Sequence, residues 1–450
     1  MKKRQNLLED NIKLLFRNYV LSSIMGMITV SLYVLFDTIF IGRGIGSEGL
    51  TALNIAIPIY NVIYGVGMLI GTGGGALMSI SRGQKDEEGV KSFFKASITL
   101  GIIMSLVFFI GGIIFLENIA LILGASEESL PLVKEYLQII LLFSPFFLMV
   151  QALNSLVRND RGYKRAMVAT IAGGFTNLVL DYIFIFPLSL GMFGAALATG
   201  ISAVVSVSVL LGHFINNSRL KLAVEVPKKG TVLRVLKVGA PAFIIEISSG
   251  IAIYLFNLEL LKLSGDLGVA AYSIIANCAI MFASVATGIG QGIQPLLSIN
   301  YGGGKLERVK IVRNMALFTG VTLGVLSLAV GLAAPEFIAS LFTHDRGEIL
   351  LMTVEGIKLY FIAFPLMGVT IVMSAYFQSV EKSSYSTIIS LCRGIIFIAL
   401  FLNLLPIFLG IQGVWLAIPT AEIATIAVIG AITVYEKITV YNKKKSLSSL

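Results

Sequence analysis

From about residue 14 to residue 436, long apolar runs alternate with short polar connectors. Each run holds about 20 residues or more, enough for a helix to cross roughly 30 Å of hydrocarbon at about 1.5 Å per residue. Run lengths and turn residues predict twelve such helices, at 14–42, 51–80, 93–116, 133–157, 164–188, 191–216, 236–262, 268–298, 312–333, 349–378, 385–409 and 413–436. The first run follows MKKRQNLLEDNIKLLFRN, a basic stretch like the start of a secretory signal. No small-residue cleavage site follows and the run is too long, so it is expected to be retained as helix 1.

The pattern repeats within the chain. GSEGLTALNIAIPIYNVIYGVGMLIGTGGGALMSIS, from Gly46, aligns without a gap on GDLGVAAYSIIANCAIMFASVATGIGQGIQPLLSIN, from Gly265, an offset of 219. At that offset Pro187 meets Pro406 and Gly194 meets Gly413, and one residue further on Pro145 meets Pro365. Six crossings per half is an even number, so both halves start on the same side and are related by an axis along the membrane normal. The expected fold is an all-α integral membrane protein: a six-helix lobe over 1–217, a linker over 218–235 and a second six-helix lobe over 236–450. Two such lobes are an architecture of secondary transporters, whose substrate sites lie between or within them.

Composition narrows the class. With 56% hydrophobic and 13% charged residues and a mean hydropathy of +0.90, the chain cannot be a soluble globular protein. Its net charge of +9 would suggest nucleic acid in a soluble chain, but all but five of the 34 Lys and Arg sort to one side of the predicted spans. The five are Arg43, Lys134, Lys262, Arg346 and Lys358. By the positive-inside rule both termini are cytoplasmic, membrane lipids are the surroundings and no nucleic-acid partner is expected. The other side carries acids, as in GASEESL and THDRGE. Cys278, Cys392, His213 and His344 lack the spacing of a zinc, haem or iron–sulfur site, so no metal cofactor or disulfide is expected. No GxxxxGK[ST] occurs, which leaves an ion gradient as the energy source. The glycine-rich GTGGGALMSISRGQ lies inside a predicted span and reads as a close-packing, bendable helix end.

Charged groups in hydrocarbon cost about 3 kcal/mol or more, so intramembrane acids are functional candidates. Asp37, Asp181 and Glu246 qualify. Asp181 lies roughly 22 Å along helix 5 and Asp37 about 24 Å along helix 1, both counted from the cytoplasmic side, while Thr199 is roughly 12 Å down helix 6 from the outside. Asn177 shares a helix face with Asp181 at i, i+4. One lobe can therefore assemble Asp37, Asn177, Asp181 and Thr199. Neighbouring buried acids can hold a proton and release it when the site rewets, and the same oxygens could ligate Na⁺. The residues leave both open.

Glu246 stands about 15 Å into helix 7, five residues after Pro241, where it could pair with a cationic substrate or with Asn277, Gln291 and Gln294. Asn154 in helix 4 is a further candidate for substrate contact. The 28 Phe and 14 Met supply apolar surface that can repack around bulky ligands.

FDTIFIGRGIGSEGLTALNIAIP, NLVLDYIF, GMFGAALATGIS, PAFIIEISSG and GIQPLLSINYG together resemble the MATE (multidrug and toxin extrusion) family, and most of all its MepA-like bacterial branch. The resemblance covers essentially the whole chain. It implies a monomeric antiporter in the bacterial inner membrane, exporting amphipathic, often cationic, organic compounds against H⁺ or Na⁺ entry by rocker-switch alternation. It also implies an N-lobe cation site at Asp37, Asn177, Asp181 and Thr199, and a C-lobe role for Glu246. Helix 10, YFIAFPLMGVTIVMSAYFQ, lacks the acid with which some members complete a C-lobe Na⁺ site, which favours the N-lobe as the coupling centre and a substrate-charge role for Glu246. Two other readings compete: a flippase for an anionic lipid-linked saccharide, which would want basic residues facing the cavity, and a channel or non-transporting receptor.

Overall fold

The computed structural model describes residues 6–448 apart from 217, 219 and 343–346, and gives only the backbone of 216 and 440–448. His344 and Arg346 lie outside the described residues. Helix 1 is Ile12–Gly44, helix 2 Ser47–Gly83, helix 3 Glu87–Ile114, helix 5 Tyr163–Ile185 and helix 6 Gly191–Asn216. Helix 9 is Leu306–Ala333, helix 11 Ser383–Leu409 and helix 12 Ile411–Ser448. The run Lys229–Gly302 leaves helical geometry at Gly265 (φ 60°, ψ −149°), so it is two helices, 7 and 8. Helix 4 (Leu130–Leu142 and Ser144–Asn159) and helix 10 (Glu348–Tyr360 and Ala363–Ser379) are spans bent by 49° and 48°. Counted this way, the described residues hold the twelve expected spans, with no strand among them.

The repeat is written into the backbone. Gly46 and Gly265, Lys85 and Gly304, and Gly191 and Gly410 all take positive φ, each pair 219 apart. The two bends have the same cause: Pro145 and Pro365 sit in the first turn after each break, where the ring clashes with the carbonyl four residues back. The Ser144 hydroxyl donates to that freed carbonyl, Leu141 O, at 2.7 Å.

The buried residues of one apolar core lie between Ile41 and Ala203, and those of another between Phe256 and Ala421. Two boundaries differ from expectation. Helix 7 already starts at Lys229, inside the stretch expected as linker, and helix 12 continues to Ser448. In both, polar residues that read as irregular chain are helix emerging from the hydrocarbon.

The lobes meet at one membrane face, the one rich in Lys and Arg. There Gln294 Nε2 donates to Thr72 O (3.0 Å), Arg158 Nη1 to Gln291 Oε1 (2.7 Å), Asn159 Nδ2 to Gln294 Oε1 (3.3 Å) and Asn300 Nδ2 to Leu7 O (3.2 Å). Glycine makes this approach possible: a Cβ on Gly73 or Gly239 would lie 2.1 Å from Val235 O or 1.9 Å from Leu69 O, contacts no side chain can occupy.

At the same face the connector between helices 4 and 5 is pinned by Asp160. Its Oδ1 accepts from Arg82 Nη2 at 2.6 Å, and its Oδ2 meets His213 Nε2 at 3.0 Å and the Ser218 hydroxyl at 2.6 Å. Burial pushes this carboxyl up, but the hydrogen bonds and the Arg82 charge outweigh it and hold it below the usual range. A depressed folded-state pKa stabilises above the unfolded value of about 3.9 and loses that contribution as pH falls through the folded value. Asp160→Asn is expected to cost about 3 kcal/mol at neutral pH, since it strands Arg82. Thermal unfolding in detergent tests this: the gap between variant and wild type should shrink below about pH 4, and a gap independent of pH would contradict it.

Candidate cation site and cavity

Helix 5 carries the centre of the N-lobe site. One turn before Asn177, Gly173 and Gly174 admit both neighbours: Cβ atoms there would lie 2.0 Å from Ser206 Oγ of helix 6 and 2.8 Å from Thr29 Cγ2 of helix 1. Drawn together, the three helices bury Asn177 and Asp181 almost completely, at 1% and 0% exposure. Asn177 Nδ2 donates to Thr199 Oγ1 at 3.3 Å, and Thr199 Oγ1 donates onward to Ala195 O at 3.0 Å. From helix 1 the half-buried Asp37 turns its carboxyl to that of Asp181. All four residues expected in this lobe are thus in one place.

What the cluster lacks is donors. Asp37 Oδ1, both Asp181 oxygens and Asn177 Oδ1 are buried without a hydrogen-bond donor. Two ionised carboxylates facing each other in a dry site repel, and a shared proton, or a small hard cation ligated by these oxygens, removes the conflict.

Thr199 also lines a cavity of about 800 Å³, mouth included, bounded by helices 1, 2, 4, 5 and 6 and by Gln291 of helix 8. Tyr60, flanked by Tyr64 and Phe147 at centroid distances of 6.0 and 5.2 Å, forms an aromatic wall, and Arg158 and Gln291 lie at the end nearest the closed face.

The C-lobe candidates do not gather around Glu246, which corrects the expected pairing. Half-buried on helix 7, Glu246 faces the other lobe: its Cβ is 3.4 Å from where a Cβ on Gly65 would be. Asn277 is exposed and bonds Ser273 O on its own helix. Gln291 and Gln294 serve the closure between lobes, and Asn154 donates to Thr170 Oγ1 at 3.0 Å and accepts from Arg158. The physical reason is depth: both glutamines sit within roughly 17 Å of the basic end of helix 8, below Glu246.

Two arginines also depart from expectation. Arg393, sorted with the charges of the basic side, is about 15 Å along helix 11, in a π-helical turn at Cys392–Ile396. Its Nη2 bonds Glu422 Oε1 at 2.8 Å, and Glu422 Oε2 accepts from the Thr370 hydroxyl at 2.5 Å. Glu422 is 3% exposed and sits nine residues into the predicted helix 12, so the rule that singled out Asp181 also reaches it. Arg158, likewise placed at a helix end by charge sorting, is 8% exposed and turns inward to line the cavity.

Comparison with known proteins converges on this architecture. The MatE family profile matches residues 22–183 and 240–404. The chain is 27% identical over 408 residues, 90% of each chain, to the multidrug export protein MepA of Staphylococcus aureus strain MRSA252. It is 27% identical over 401 residues, 88% of each chain, to the protein of that name from Staphylococcus saprophyticus. Among solved structures, a multidrug-resistance MATE transporter of the MOP superfamily in its outward-facing conformation superposes with a TM-score of 0.91 at 23% identity, over 98% of this chain and 99% of that one. A MOP-superfamily transporter from Pyrococcus furiosus gives 0.89 at 22% identity, over 97% and 99%. At these identities the two structures speak for the fold alone.

Proposed function

The chain belongs to the MatE family, and from that premise we propose that it is a secondary active antiporter that exports amphipathic, often cationic, organic compounds in exchange for protons. The observation that carries the coupling is the Asp37–Asp181 pair, two facing carboxyls whose buried oxygens lack donors. A proton shared between them satisfies the pair, and losing it restores the repulsion. The likeness to the multidrug export protein MepA supports the substrate class, as do the aromatic cavity and the abundance of Phe and Met.

By the positive-inside rule the closed, basic face is cytoplasmic, so this conformation opens outward. The geometry supports an alternation. With the lobes joined at the cytoplasmic face, the acid pair takes a proton from outside. With the lobes parted there, Thr199 and the cavity connect the pair to the cytoplasm, where the proton leaves and substrate enters. The two six-helix lobes move as units about the connector between helices 6 and 7, in a single chain in the bacterial inner membrane. Glu246, facing helix 2 across the cleft, offers its carboxylate to the positive centre of a substrate.

Transport of an organic-cation dye into inverted vesicles, with pH and Na⁺ gradients clamped independently, tests the proposal. A pH gradient alone is expected to drive accumulation. Accumulation driven only by Na⁺ would reassign the acid pair to that ion, and accumulation under neither gradient would sink the antiport reading.

A further inference from the structure

We infer that the inner end of the cavity is an anion site: Arg158 binds a carboxylate or similar oxyanion carried by the transported molecule and so sets the preference for substrates that bear one. This rests on the export reading above and adds to it a specificity-determining residue.

Two half-buried guanidiniums provide the comparison. Arg82 is paired with Asp160 at 2.6 Å and Arg393 with Glu422 at 2.8 Å. Arg158 is at least as deeply buried as either, yet no carboxylate among the described residues pairs with it. Its partners are two neutral amide oxygens, Gln291 Oε1 at 2.7 Å and Asn154 Oδ1. Burying an ion costs several kcal/mol unless a counter-charge offsets it. The C-terminal end of helix 4 lies at Arg158, but a helix dipole offsets only a small part of that cost. The positive charge is therefore undercompensated within the fold.

Its position says what completes it. A guanidinium has five N–H donors, and Gln291 and Asn154 take one each. The others belong to a side chain that lines the 800 Å³ cavity. A planar fork of free donors matches an oxyanion in two-point contact, a geometry that an ammonium could not reproduce. The Ser22 and Ser23 hydroxyls and the Gln151 amide line the same cavity and add neutral donors. At the opposite end Thr199 connects the cavity to the acid pair, so the space is electrically polar along its length. A molecule with one positive and one negative group fits that polarity in one orientation.

The test uses a cationic xanthene dye with a free carboxylate and the same dye as its ethyl ester, bound to the full-length protein in nanodiscs and followed by fluorescence polarisation. A charge-assisted hydrogen bond of about 1.5–3 kcal/mol predicts that the wild type holds the acid form about tenfold tighter, or more, than the ester. Arg158→Gln should bind the two alike, and Arg158→Lys should keep part of the preference. Gln291→Glu should also level the pair, because it supplies the guanidinium with a carboxylate from the other lobe while leaving Arg158 in place. Since Arg158→Gln removes an uncompensated buried charge, its melting temperature should equal or exceed that of the wild type. Wild-type protein without a preference for the acid form overturns the inference. So does Arg158→Gln weakening both dyes equally with a lowered melting temperature, the mark of a purely structural latch. Failure of the wild type to bind either dye would overturn the export reading and this inference with it.

Discussion

Asp181→Asn is expected to reduce proton-driven efflux to the level of protein-free vesicles while leaving the protein folded. Asp181 is fully buried, so its carboxyl can matter to transport only through what it exchanges with its immediate neighbours. Asparagine has the same shape and cannot bind or release a proton near neutral pH. Its amide would donate to Asp37, removing the conflict between the acids without a proton and holding the site in one state. The variant should therefore bind an organic-cation dye, melt at or above the wild-type temperature and fail to respond to an imposed pH gradient. Asp37→Asn should act in the same direction. Undiminished pH-driven efflux by Asp181→Asn would remove the pair from the coupling mechanism. A variant that neither melts cooperatively nor binds dye would instead show the carboxyl to be a structural requirement.

This site was legible in the sequence because a membrane span has so few polar positions. Within helix 5, Asn177 and Asp181 could share a face at i, i+4, and counting rise per residue put Asp37 and Thr199 at the same height. The spans were legible for a related reason, since hydrocarbon imposes a length on every helix, and the 219-residue repeat fixed their number in each half. What escaped was rotation. Sorting charges by position along the chain locates Arg158 and Arg393 to within a few turns of the basic face, but does not reveal that both point inward. Gln291 and Gln294 escaped in the same way, because their role depends on a second lobe packed against them. Glu422 obeyed the intramembrane-acid rule in plain sight, and only its pairing with Arg393 across a π-helical turn needed the fold.

The glycines of the closed face support the second large effect. Gly83 of helix 2 and Gly302 of helix 8 are 219 apart, the same position in the two repeats, and they meet across the axis that relates the lobes. A Cβ on Gly83 would lie 2.1 Å from Ile299 O, and a Cβ on Gly302 would lie 2.1 Å from Ile80 O. Both obstacles are backbone oxygens committed to their own helices, so neither can turn aside, and a methyl at either position would force the helices apart by roughly 1 Å. Overpacking of this kind costs about 1–3 kcal/mol per site. The parted arrangement escapes that cost entirely, so the double variant Gly83→Ala/Gly302→Ala should shift the lobe equilibrium toward it by about tenfold or more. Efflux should fall in proportion, because the proposed cycle needs the closed state to admit protons from the far side. Spin labels at the exposed positions Lys91 and Lys310, also 219 apart and on helices 3 and 9, should report a longer distance across the basic face. Gly111→Ala, where a Cβ would meet nothing within 4 Å, should change neither readout. Wild-type efflux and an unchanged distance in the double variant would mean that this face does not open during transport, and the gate would have to be sought elsewhere.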